Sequence, residues 1–225
     1  MMDEFFSRSE ALLGAKAMEA LRTKKVIIFG VGGVGSYAAE ALVRTGLTHL
    51  TIVDGDTVQP SNINRQLPAT RATMGMPKVE ALKARLLEIN PEAEIEARKE
   101  MVNGLEGYDY IIDAIDSVND KTDLIINATR ARVKIFSSMG AALRFDPTKV
   151  TTGELMDIKG DALAKAVRAR MKKLEVHPYK KVRCVYSSEQ AQRCETRGSL
   201  MQVTAVFGLT LASLVITDIT NQAKL

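Results

Sequence analysis

The chain has 225 residues, 46% of them hydrophobic and 26% charged, with a formal net charge of +4. That length suffices for a full core in one globular domain, and the composition excludes a disordered or low-complexity chain. Aromatic residues make up only 5%, with no Trp, which favours a parallel sheet wrapped by helices over an all-β sandwich.

The first predicted element is an amphipathic helix over Glu10 to Leu21, leading into an apolar strand, Lys25 to Phe29. A glycine turn, Gly30-Val31-Gly32-Gly33-Val34-Gly35, then opens a helix predicted from Gly33 to Thr45 and closed by Gly46. A second strand, His49 to Val53, runs into Asp54-Gly55-Asp56. Pro77 starts a helix with Val79, Leu82, Leu86 and Ile89 on one stripe, and Asn90-Pro91 ends it. Strand Asp109 to Asp113, a helix around Lys121 to Arg132 and strand Val133 to Ser137 complete the alternation of a mostly parallel, doubly wound, Rossmann-like α/β sheet.

After Gly140 the pattern changes. Strands at Ala142 to Phe145, Val150 to Leu155 and Val182 to Tyr186 surround one basic helix, Asp161 to Leu174, and read as a small β/α appendage over one mouth of the site. A polar loop, Ser187 to Ser199, precedes a long apolar segment, Ser199 to Ile219. Its length would span a bilayer, but Gln202, Thr204, Thr210, Ser213 and Thr217 interrupt it and no basic cluster follows, so a buried C-terminal helix is expected. The chain thus divides into a core over about 1–140, a basic appendage over 141–198 and a helix over 199–225 packed on the core.

A glycine loop between strand and helix lets backbone N–H groups and the helix dipole face a phosphate. Asp54, about 20 residues further on, suits a ribose contact. Those two features alone fit an NAD-dependent oxidoreductase. The residues beyond Asp54 do not suit hydride transfer: Arg65, in Ser61-Asn62-Ile63-Asn64-Arg65-Gln66, and Lys78, in Gly75-Met76-Pro77-Lys78, bring two cations to the same crevice. Such cations serve where a triphosphate binds and charge builds on its α-phosphate. Asp116, just past an apolar strand, is placed to hold magnesium; Asp113 is read as a cap of the next helix, and the two could exchange roles.

Cys184 and Cys194 fall short of four zinc thiolates, so no zinc is expected, and without a signal peptide ahead of Arg8 the expected compartment is the reducing cytoplasm. Cys184 reads as core and Cys194 as the better thiol candidate. Lys159 to Arg183 holds nine Lys/Arg against two Asp/Glu, which is either a solvated helix face or a polyanion-binding surface.

Together the glycine loop, Asp54-Gly55-Asp56, Asn62-Ile63-Asn64-Arg65-Gln66, Gly75-Met76-Pro77-Lys78, Ile89-Asn90-Pro91 and Asp113-Ala114-Ile115-Asp116 resemble the ubiquitin-activating-enzyme-like adenylyltransferase family, over roughly residues 5 to 140. The resemblance implies ATP bound by Gly30, Gly32, Gly33, Gly35, Asp54, Asp56, Asn62, Arg65 and Lys78, with magnesium at Asp116. It also implies that Arg8 reaches the nucleotide of a partner subunit, which makes the enzyme a homodimer. Sulfur-carrier activating members carry Cys-x-x-Cys pairs that this chain lacks. Ser138-Met139-Gly140-Ala141-Ala142 with Asp146-Pro147-Thr148, Asp157 with Asp161 to Arg170, and Val182 to Glu189 resemble instead the tRNA threonylcarbamoyladenosine dehydratase group. That likeness implies adenylation of the nucleoside carboxylate in the anticodon loop, ring closure and AMP release. On that reading Lys165, Arg168, Arg170, Lys172, Lys173, Lys180 and Lys181 are tRNA phosphate contacts, and a sulfur-relay protein is a possible partner. The alternative is activation of the C-terminal glycine of a ubiquitin-like sulfur carrier.

Overall fold

A computed structural model describes residues 4–100, 104–178, 181–196 and 198–223. Its strands are β1 (Lys25–Phe29), β2 (His49–Val53), β3 (Glu94–Arg98), β4 (Tyr110–Asp113), β5 (Lys134–Ser138), β6 (Val150–Glu154) and β7 (Arg183–Ser187). They form one sheet in the order β3-β2-β1-β4-β5-β7-β6, parallel throughout except for β6, which runs antiparallel to β7 at the edge. The chain starts in the middle and winds outward in both directions, which is the doubly wound, Rossmann-like plan expected from the alternation.

Strand side chains alternate between the two faces, and β1 shows the result. Val26 and Ile28 enter one core, while Ile27 and Phe29 enter the other. The first face carries α2 (Ala15–Thr23), α3 (Gly35–Thr45), α4 (Lys78–Ile89) and α7 (Met201–Ala223); the second carries α5 (Val118–Arg130) and α6 (Ala162–Lys173). A short helix, α1 (Ser7–Leu13), precedes α2.

The C-terminal helix is long and apolar enough to cross a membrane, yet in the fold it lies against α3, α2 and β5. Val203, Phe207, Leu211 and Val215 on it are fully buried, each worth roughly 1.5–3 kcal/mol of transfer free energy. The contact with α3 is close at Gly208, where a Cβ would stand 2.2 Å from the Val34 carbonyl oxygen.

Several predicted elements differ from the observed ones, each for a physical reason. The helix expected over Glu10 to Leu21 is broken into α1 and α2 at Gly14, whose φ of +85° suits glycine. The strand expected at Ala142 to Phe145 does not form. Leu143 takes a φ of +62°, and the N–H groups of Phe145 and Asp146 donate to the Glu189 carboxylate instead of to a ladder. Those two bonds hold that carboxyl below the usual range. The strand β3 escapes sequence reading because Glu94, Glu96 and Arg98 surround its single buried Ile95. Finally, β6 and β7 extend the main sheet rather than building a separate one.

Candidate functional site

The carboxyl ends of β1, β2 and β4 converge on the glycine loop. Gly30 donates its N–H to Val53 O of β2 at 2.8 Å, and its φ is +83°. A Cβ on Gly30 would lie 2.8 Å from Ala114 O, and one on Gly35 would lie 1.9 Å from Gly30 O. The loop is therefore pressed between β1 and the turn after β4, with no room for a side chain. No side chain caps α3, and although the Ser36 N–H donates to Gly32 O at 3.2 Å, the helix opens on the glycine loop, where its remaining N–H ends can face an anion.

Asp54 is nearly buried, with a side chain 10% exposed. Its carboxylate accepts the N–H of Val31 at 2.8 Å and of Asp56 at 2.9 Å. It thus fastens the glycine loop to the end of β2 and keeps lone pairs for a further hydrogen-bond donor. Lys78, the first residue of α4, is buried; its Nζ lies 2.7 Å from Asp56 Oδ2 and 3.9 Å from Asp54 Oδ1. The ammonium is thus held in place between two carboxylates, one of which also fastens the glycine loop.

Arg65 folds back so that its guanidinium donates to Ser61 O and Asn64 Oδ1, both at 2.8 Å. A Cβ on Gly33 would stand 3.2 Å from Arg65 Cγ and 3.2 Å from Thr204 Oγ1. The arginine stem and the start of α7 therefore wall the loop. Asn62 is buried, and its Oδ1 accepts the Gln59 N–H at 3.0 Å; it acts as a strut of its own turn. Asn64 donates to Ser199 O at 2.9 Å, tying this turn to the segment ahead of α7.

Two residues that the sequence did not single out belong here. Gln66 is buried beside Gly32, with its Oε1 unpartnered among the described residues. Thr204 sits on the apolar helix, where its hydroxyl interrupts the hydrophobic pattern, and it faces Gly33. The signal for Gln66 was its place directly after Arg65 in the Asn-x-Asn-Arg-Gln run.

Asp116 is exposed in the turn after β4 and has no ion pair among the described residues. Asp113 departs from the expected helix cap. It is fully buried and bonded to Lys121 and Ser137, while Ser117 caps α5 by accepting the Asp120 N–H. The two aspartates thus have separate duties. Among the described residues no three His, Cys, Asp or Glu side chains gather at one point. A magnesium ion at a nucleotide needs only one or two carboxylates, the rest of its shell being phosphate oxygens and water, and the single exposed Asp116 fits that donor set.

Arg8 is exposed on α1. In the basic segment, Arg168 donates to Leu155 O at 2.8 Å and Arg170 pairs with Asp123 at 3.0 Å, so both are engaged within the chain. Lys165, Lys172, Lys173 and Lys181 are exposed, and Lys180 lies outside the described residues. The helix α6 begins at the level of the site, because its N-cap Asp161 accepts the Gly140 N–H just past β5. Its last turn therefore lies roughly 18 Å further along the helix, at 1.5 Å per residue.

Burial pushes the Cys184 thiol well up, the strongest cause being lost hydration, whereas Cys194 is exposed. Titration of the native protein at neutral pH with a disulfide thiol reagent is expected to show one fast thiol, Cys194. Cys184 should react only on unfolding, and two fast native thiols would contradict its burial.

A glycine loop pressed between β1 and the turn after β4 and fastened by a nearly buried carboxylate at the carboxyl ends of a doubly wound sheet is the arrangement of a nucleotide-binding α/β enzyme. The ThiF family model matches residues 6–225, and the chain belongs to that family. It is 39% identical over 191 residues to the tRNA threonylcarbamoyladenosine dehydratase of Bacillus subtilis, covering 82% of this chain and 74% of the relative. The crystal structure of Escherichia coli tRNA N6-threonylcarbamoyladenosine dehydratase in complex with ATP superposes with a TM-score of 0.92 at 34% identity, over 98% of this chain and 95% of that one. The molybdopterin-synthase adenylyltransferase of Salmonella typhimurium is 35% identical over 137 residues, 58% of this chain and 54% of the relative.

Proposed function

We propose that the chain uses ATP to activate the carboxylate of threonylcarbamoyladenosine in a tRNA anticodon loop and then closes it into a ring with release of AMP. The observation that carries this reading is how much of the chain takes part in each likeness. By sequence, the match to the Bacillus subtilis dehydratase spans 82% of the chain, whereas that to the Salmonella molybdopterin-synthase adenylyltransferase spans 58%. The region outside the core nucleotide site is thus shared with the dehydratases, which ranks activation of a sulfur-carrier protein second.

In the first step the carboxylate oxygen attacks the α-phosphorus and pyrophosphate leaves, giving an acyl-adenylate. A nucleophile of the same carbamoyl side chain then attacks the acyl carbon and AMP departs with the carboxylate oxygen, so the nucleoside loses one water overall. The attacking group is already tethered at high effective concentration, and no enzymic cysteine is required. On this reading Asp54 orients the ribose, the glycine loop and α3 N–H groups bind phosphate, and Arg65 and Lys78 offset charge as it builds on the α-phosphate. Asp56 and Asn62 hold Lys78 and the Arg65 turn in place. Magnesium held by Asp116 would neutralise phosphate charge. Arg8 reaches the nucleotide of a second copy, making the working unit a homodimer in the cytoplasm, with a sulfur-relay protein as a further partner. The tRNA backbone runs down the outer side of α6 past Lys165, Lys172, Lys173 and Lys181, giving salt-sensitive affinity.

The test combines purified protein, ATP and tRNA bearing threonylcarbamoyladenosine, following AMP and the nucleoside mass. AMP formation with loss of one water is expected. Turnover only with a carrier protein ending in Gly-Gly would replace this reading with the second one.

A further inference from the structure

Lys121 is fully buried, one turn into α5, on the apolar stripe it shares with Ile125 and Ala128. Its Nζ lies 2.6 Å from Asp113 Oδ2 and 3.3 Å from Ser137 Oγ. The same Asp113 oxygen accepts the Ser137 hydroxyl, while Asp113 Oδ1 accepts the Ile115 N–H at 3.1 Å. The backbone N–H of Lys121 donates to Ser117 O at 3.0 Å. The strand end, the turn carrying Asp116 and the first turn of α5 are thereby closed into a ring, and both neighbours of Asp116 are fixed by it. The turn is fixed from outside as well, since Ala114 donates to Phe29 O at 2.8 Å and its carbonyl abuts Gly30.

A buried ion pair is a poor source of stability, because two apolar side chains of the same size generally do as well. What the pair supplies is direction: a carboxylate that must point one oxygen at Ile115 N–H and the other at Lys121. We propose that Lys121 is a positioning residue that acts through Asp113 to aim Asp116 at the metal-bound nucleotide. This rests on the proposed role of Asp116.

The test uses the double variant Asp113→Asn/Lys121→Met, which removes both charges and leaves no unpaired ion, beside Lys121→Met and Asp116→Ala. Calorimetry measures ATP binding with and without Mg2+, and AMP release gives kcat and KM. For the double variant the expected result is a melting temperature near wild type and unchanged metal-free ATP binding. The Mg2+ concentration for half-maximal effect should rise and kcat should fall, each by about 10–100-fold, the scale of outer-sphere changes at metal sites. A double variant that melts normally and keeps wild-type Mg2+ response and kcat would overturn the proposal and leave the pair purely structural. If Asp116→Ala itself leaves the Mg2+ response unchanged, the role given to Asp116 fails, and this inference fails with it.

Discussion

Gly35→Ala is expected to lower the melting temperature by roughly 6–12 °C and to weaken ATP binding by at least about tenfold. In an ordinary helix the same change stabilises by about 1 kcal/mol. Here the added Cβ would stand 1.9 Å from Gly30 O and 3.3 Å from Ala114 Cβ, so the backbone of the loop must move. Overpacking of this severity costs about 3 kcal/mol or more, and about 2–4 °C accompanies each kcal/mol in a chain of this size. Gly107→Ala serves as the comparison, since nothing lies within 4 Å of its Cβ position and only its φ of +99° is strained. Thermal melts and ATP titration of the two variants decide the matter. If Gly35→Ala melts within a degree or two of wild type and binds ATP normally, the loop is not pressed against itself as described.

Arg65→Ala and Asp116→Ala are each expected to reduce AMP formation by about 10²–10³-fold, the range seen when one group facing transition-state charge is removed. Neither should unfold the protein. Asp116 is exposed, and the Arg65 guanidinium bonds only to its own turn among the described residues. Both variants should therefore melt close to wild type, which separates lost chemistry from lost structure. On the proposed homodimer, in which each site takes Arg8 from a second copy, mixing Arg8→Ala with Asp116→Ala subunits should restore part of the turnover in sites that draw one intact residue from each. Near-normal turnover in either Arg65→Ala or Asp116→Ala removes that residue from the site. No recovery on mixing counts against Arg8 acting across a dimer.

The nucleotide cradle was legible in the sequence because its parts are local. Strand, glycine turn, helix and Asp54 succeed one another within 30 residues, and the 2.8 Å bond from Val31 N–H to Asp54 is the three-dimensional form of that spacing. Duties set by long-range packing were less legible. Asp113 and Asp116 looked interchangeable, and only the approach of Lys121 and Ser137 separates them. The available hint was a lysine on an apolar helical stripe. The basic count of the third quarter of the chain likewise hid that Arg168 and Arg170 are engaged with Leu155 and Asp123. Local sequence favoured a strand at Ala142 to Phe145, but the Glu189 carboxylate captures the N–H groups of Phe145 and Asp146.

The wall that Thr204 and the Asn64–Ser199 bond give the glycine loop has a consequence for the order of events during synthesis. The loop leaves the ribosome well before α7, so the phosphate cradle stays unfinished until a contact between distant parts of the chain is made. Such non-local closure is a slow step of folding. ATP, which gains its full set of contacts only afterwards, favours the closed form by mass action. The finished cradle, and the nucleotide contacts it offers, thus wait on the emergence and docking of α7.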